Sequence, residues 1–106
     1  MATASALLNN DSHGVFMGGS FTLDIGSILT AANEDETVSV PNVRVGDLVV
    51  VNPSAALLDG LIIANPHVSA TGTITFTIEN NSASTRDQGS ATFYFTVIRG
   101  SQGIML

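Results

Sequence analysis

The amino-acid sequence predicts an all-β fold, a single antiparallel β-sandwich, on three observations. Apolar residues alternate with threonine and serine over several stretches, the period-two signature of half-buried strands. These stretches recur at spacings of about 8–14 residues, punctuated by glycine, proline and asparagine, as in sandwiches and barrels. No helix-period pattern runs longer than one turn. The chain has 106 residues, enough for one core, because single domains cluster at roughly 100–150 residues.

The strongest pair of strands lies late in the chain. Thr73 to Glu79 alternates strictly, placing Ile74, Phe76 and Ile78 on one face and threonines on the other. Ala91 to Arg99 alternates again, with Phe93, Phe95 and Val97 facing one way and Thr92, Tyr94, Thr96 and Ile98 the other. Three of the five phenylalanines and the single tyrosine sit here, so the core is expected to be thickest at this pair.

In chain order, residues 1–20 read as an N-terminal arm. Gly14, Gly18 and Gly19 keep a backbone from settling into regular structure, and two apolar islands, Leu7-Leu8 and Val15-Phe16-Met17, punctuate an Ala/Ser/Asn-rich segment. The segment is a frayed end, an arm whose Leu7, Leu8, Phe16 and Met17 dock on a neighbouring subunit, or a short helix over Thr3 to Leu8. The sandwich domain spans 21–99. Phe21, Leu23 and Ile25 form its first inward row, ended by Gly26. Asn33-Glu34-Asp35-Glu36 reads as a solvated acidic turn; its carboxylates lack the alternate spacing and fixed glycine of a calcium loop. Thr37 to Val40 is a strand stopped by Pro41. Gly46-Asp47 is a two-residue turn signal. Leu48 to Val51 has no alternation, which predicts a central strand buried on both faces.

Ala55 to Gly60 reads as one helical turn closed by Gly60 in a left-handed conformation. Leu61 to Asn65 and His67 to Ala70 form strand on either side of Pro66, and Thr71-Gly72 turns the chain into the late pair. Asn80 to Gly89 is wholly polar and reads as a surface loop. The tail, 100–106, leaves through Gly-Ser-Gln-Gly and ends in Ile104, Met105 and Leu106. Each of these three gains roughly 1.5–3 kcal/mol by burial, so they are expected against this domain's own rim or a symmetry mate.

Composition narrows function. Only 11% of residues are charged, against roughly 25% in an ordinary soluble domain. Lysine is absent, Arg44, Arg86 and Arg99 are the only cations besides the histidines, and the net charge is −6. Such a chain repels phosphate backbones, which argues against a nucleic-acid partner. No cysteine is present for a disulfide or thiolate site, as expected of a protein made in a reducing cytoplasm. The first residues lack the basic and apolar regions of a secretory signal, and no run approaches the ~18 apolar residues of a helical membrane span, so no membrane partner is expected.

No catalytic, metal or cofactor residues are assigned. His13 and His67 have no ligand-spaced acids near them, no Gly-x-Ser-x-Gly elbow occurs, and no phosphate-cradling glycine loop precedes a helix. An enzyme is not expected. Tyr94 is the one amphipathic aromatic, a candidate sugar platform or interface residue.

From Val43 onward the order of features resembles a known group. Val45-Gly46-Asp47-Leu48-Val49-Val50-Val51-Asn52-Pro53, then Leu58-Asp59-Gly60-Leu61, then Val68 to Phe76, then Asn80, then Ala91 to Arg99 are similar to a module of small virion structural proteins of tailed bacteriophages. The resemblance spans about half of the chain, 43–99, and carries no catalytic signature. It implies a β-sandwich of jelly-roll-like form and a capsid decoration (cement) protein on the outer capsid surface. In that role it clamps subunits of the major capsid protein, often as a homotrimer at symmetry axes. A tail, fibre or glycan-binding host-recognition module is the alternative. The capsid or subunit interface expected on the decoration reading draws on Leu7, Leu8, Phe16, Met17, Ile104, Met105 and Leu106; in the alternative the loop 80–89 and Tyr94 form the contact surface.

Overall fold

A computed structural model of the chain describes residues 2–3, 5–11 and 14–99. Six antiparallel strands form two three-stranded sheets, and no helix occurs among the described residues. They are β3 (Gly14–Ile28), β4 (Asn33–Ser39), β5 (Leu48–Pro53), β6 (Leu61–Ala70), β7 (Thr73–Asn80) and β8 (Arg86–Arg99). One sheet has the order β4-β7-β6 and the other β3-β8-β5. The N-terminal segment adds one strand to each: β1 (Ala2–Thr3) runs parallel to β4, and β2 (Ser5–Asp11) antiparallel to β3.

The alternation read from the sequence sets which side chains face inward. Ile74, Phe76 and Ile78 of β7 are fully buried, as are Phe93 of β8 and Ile25 of β3, and Phe95, Val97 and Phe21 are buried beside them. Phe21, Phe76 and Phe93 bridge the sheets, with ring centroids 5.3–5.9 Å apart. Offset and tilted pairs at this spacing add about 0.5–1.5 kcal/mol each beyond area burial.

Several sequence readings are corrected. The arm boundary at Ser20 falls inside β3: Met17 pairs with Val97 and is 2% exposed, within the core. Gly18 and Gly19 do not break the strand, because β2 on one side and β8 on the other supply its ladder bonds. The acidic run is not a turn but the first half of β4, with Glu34, Asp35 and Glu36 opposite Ile78, Thr77 and Phe76. Leu48 to Val51 is not a central strand; β5 is a sheet edge and buries one face only. No helical turn forms over 55–60, although Gly60 does take the left-handed conformation (φ 87°). The polar loop shortens to 81–85, since β8 starts at Arg86.

Two polar clamps hold the ends of the sandwich. At one end Asn80, fully buried, donates from Nδ2 to the carbonyls of Ile28 (2.8 Å) and Ser84 (3.0 Å). Its Oδ1 accepts from the Ser82 N–H (2.9 Å) and hydroxyl (2.6 Å). One side chain thus ties the 81–85 loop to the β3–β4 connection and leaves no orphaned group, as burial demands. Gly60 touches the same loop: a Cβ there would lie 2.5 Å from that of Ser82. At the other end Arg99 reaches Asp47 through Nε (3.1 Å) and Nη2 (3.1 Å), and donates to the Asn42 carbonyl (2.6 Å). Asp47 also accepts from the Arg44 N–H (2.9 Å). The bidentate pair fixes the 41–47 loop to the last residue of β8.

Asn80→Ala strands the Ile28 and Ser84 carbonyls and the Ser82 N–H, so it is expected to cost about 2–3 kcal/mol in urea unfolding. Gly60→Ala combines a clash with a left-handed backbone and is expected to lose at least ~1–2 kcal/mol by the same measurement.

Candidate docking face

The outer faces of the two sheets differ in chemistry. On β4-β7-β6 the outward residues include Asp35, Thr37, Thr75, Thr77, Glu79, His67 and Ser69, laced by the Thr77 hydroxyl to Asp35 (2.7 Å) and the Ser69–Thr75 hydroxyl pair (2.7 Å), with Ile62 opposite Glu79 as a large apolar side chain exposed among them. That face is at home in water. On β3-β8-β5 the outward rows are Leu48 beside Ile98, Val50 beside Thr96 and Gly18, and Asn52 beside Tyr94 and Ser20. Thr92 and Thr22 follow, their hydroxyls 3.0 Å apart. No charged side chain interrupts these rows on β3, β5 and β8 between Leu48–Ile98 and Thr22–Thr92.

The apolar side chains on this face are bare. Leu48 is 63% exposed, Val50 61%, Tyr94 55% and Ile98 44%. Val45, on the loop leading into β5, is exposed as well. Single exposed apolar residues are ordinary, but neighbours across adjacent strands make a patch, and patches mark interaction surfaces. The absence of charge in these rows means that covering this patch strands no ion. The unbroken run Leu48 to Val51 has its explanation here: Val49 and Val51 face the core, while Leu48 and Val50 face outward onto this surface.

The expected interface residues fall in different places. Met17 is removed from any docking role by its burial in the core. The backbone of Leu7 pairs with Gly18, that of Leu8 with Met17 and that of Phe16 with Ile98, so these three belong to ladders of the same sheet and not to a projecting arm. Ile104, Met105 and Leu106 lie outside the described residues, as does His13. Leu48 and Val50 escape a sequence reading as surface residues, because their pattern also fits a strand buried on both sides; the outer face of their sheet, on which both stand exposed, is the deciding fact. Ile98 stands where the alternation of its strand puts it, on the face away from Phe93, Phe95 and Val97.

Chemistry is sparse. Among the described residues no group of three His, Asp or Glu is placed to hold a metal ion. His67 is exposed, with Nδ1 2.8 Å from the Asn65 carbonyl oxygen. The Glu36 carboxyl is shifted up from its ordinary value of 4.5, through partial burial first and then repulsion from Glu34 and Asp35.

No family model, curated protein or solved structure matches the chain.

The raised Glu36 carboxyl binds its proton more tightly in the folded than in the unfolded chain, so its ionisation opposes folding. Its penalty is absent below the ordinary value of 4.5 and grows as pH rises through the raised folded value. Glu36→Gln is therefore expected to raise the melting temperature at neutral pH, with the gain shrinking towards zero below pH 4.5, as thermal melts across that window will read.

Proposed function

We propose that the protein is a non-catalytic virion module, a capsid decoration protein that lies with the outer face of β3-β8-β5 against the major capsid protein. The observation that carries this reading is the uncharged patch of Leu48, Val50, Tyr94 and Ile98 on one sheet, opposite a threonine- and acid-rich face on the other. A molecule built this way has a side to bury and a side to present to solvent. The phage resemblance over 43–99 supplies the partner; the geometry supports adhesion in general. Binding only the assembled shell stabilises it by mass action, and homotrimers astride a symmetry axis bring three such faces to neighbouring capsid subunits. The acidic surplus, −6 overall, is kept off the docking rows and remains free to complement basic rims around the footprint.

A second reading, glycan recognition by a tail or fibre component, is favoured by one feature. Tyr94 stands exposed in mid-face with Asn52 and Ser20 in its row, an aromatic platform beside hydrogen-bonding groups.

Purified capsids stripped of decoration separate the two. Val50→Asp and Ile98→Asp are expected to weaken capsid binding at least tenfold each, since buried central positions are worth roughly 2 kcal/mol or more at such interfaces. Unchanged binding by both variants overturns the decoration reading. Saturable binding on a glycan array that disappears with Tyr94→Ala supports the second.

A further inference from the structure

The two flanks of the sandwich are finished differently. On one, β1 and β2 extend the sheets beyond β4 and β3. On the other, β5 and β6 end their sheets with nothing paired to either among the described residues. Between these edges runs a groove of about 430 Å³, whose lining includes Val49, Val51, Pro53, Leu57 and Ile63 together with the polar Asn52. Natural sheets seldom leave an apolar edge uncovered, because it templates aggregation.

The edge of β5 has a readable bonding pattern. The Ser54 N–H donates to the Thr92 carbonyl, and antiparallel ladders alternate. Val50 and Asn52 therefore bond to β8, while the N–H and C=O groups of Val49 and Val51 point away from it, towards the groove. Pro53 has no N–H to offer. The open edge thus accepts a short strand, opposite Val49 to Val51.

We propose that this groove is the seat of the chain's own segment 100–106, with Ile104, Met105 and Leu106 added as a short strand parallel to β5. Three observations select this occupant. The segment begins at the right place: Ile98 pairs with Leu48, and Arg99 is clamped to Asp47, two residues before Val49. It has the right length. Crossing β5 to its far flank takes two strand spacings, about 9–10 Å, and Gly100 to Gly103 span up to ~13 Å at about 3.3 Å per residue. It has the right composition, a Gly-Ser-Gln-Gly turn followed by three apolar residues, to match a short edge whose groove combines apolar side chains with free backbone polar groups. Backbone pairing with side chains in a groove is the usual form of strand addition. The proposal concerns the flank of the sandwich and stands whichever partner covers its face.

Amide hydrogen exchange of the full chain tests it, with the Val50 and Thr96 amides, bonded inside the β5–β8 ladder, as the folding control. The Val49 and Val51 amides are expected to be protected in the parent chain at all concentrations, and to exchange at least tenfold faster in the I104D/L106D variant while the control amides stay protected. Three results overturn the proposal. They are fast exchange of Val49 and Val51 in the parent chain, protection that survives the double substitution, and protection lost on dilution, which assigns the groove to a second copy. If the control amides also lose protection in the variant, L106D alone replaces it under the same criteria.

Discussion

The contact on which the molecule depends is the meeting of Phe21, Phe76 and Phe93 between the two sheets. Each comes from a different strand, and two of those strands, β7 and β8, are the middle strands of their sheets. A chain of this size has little apolar area to spare, so concentrating its aromatic mass at one point where both sheets converge gives the core its centre. Met17, Ile25, Ile74, Ile78, Phe95 and Val97 extend that centre along the strands.

Around this core, polar groups supply position more than adhesion. Asn80 and the Arg99–Asp47 pair sit at opposite ends, and each converts a loop into a fixed extension of a strand end. With so few charges in the chain, that one bidentate pair is placed where a loop must be aligned with the start of β5. Since β5 carries Leu48 and Val50, the clamp also sets the position of the bare patch. The strand that begins the apolar face is thereby held at its start, and a surface fixed before binding has a lower ordering cost.

The contrast between the two outer faces gives the molecule a direction. Threonine serves both, as a β-former that is neither strongly apolar nor charged, but where the β4-β7-β6 face has the single large apolar Ile62 beside Glu79, the β3-β8-β5 face gathers Leu48, Val50, Ile98 and Tyr94 in adjoining rows. This polarity makes the protein an adhesive module in our reading, and it follows from which residues occupy the outward positions of β5 and β8 and not from any catalytic arrangement.

The sequence by itself determined the all-β class, the inward rows of β3, β7 and β8, and the turn at Gly60, because alternation and backbone chirality are local properties. It also singled out Tyr94 as amphipathic. It did not separate an edge strand from a central one at Leu48 to Val51, since an apolar run reads alike whether its second face meets a core or a partner. Nor did it show that Gly18, Gly19 and the acidic run at Glu34 lie in strands, because ladder bonds from neighbouring strands override weak local preference. Only the tertiary structure decided these points. Sheet order is a pairing between residues far apart in the chain, and it alone tells which face of a strand, and which edge, is left without a neighbour.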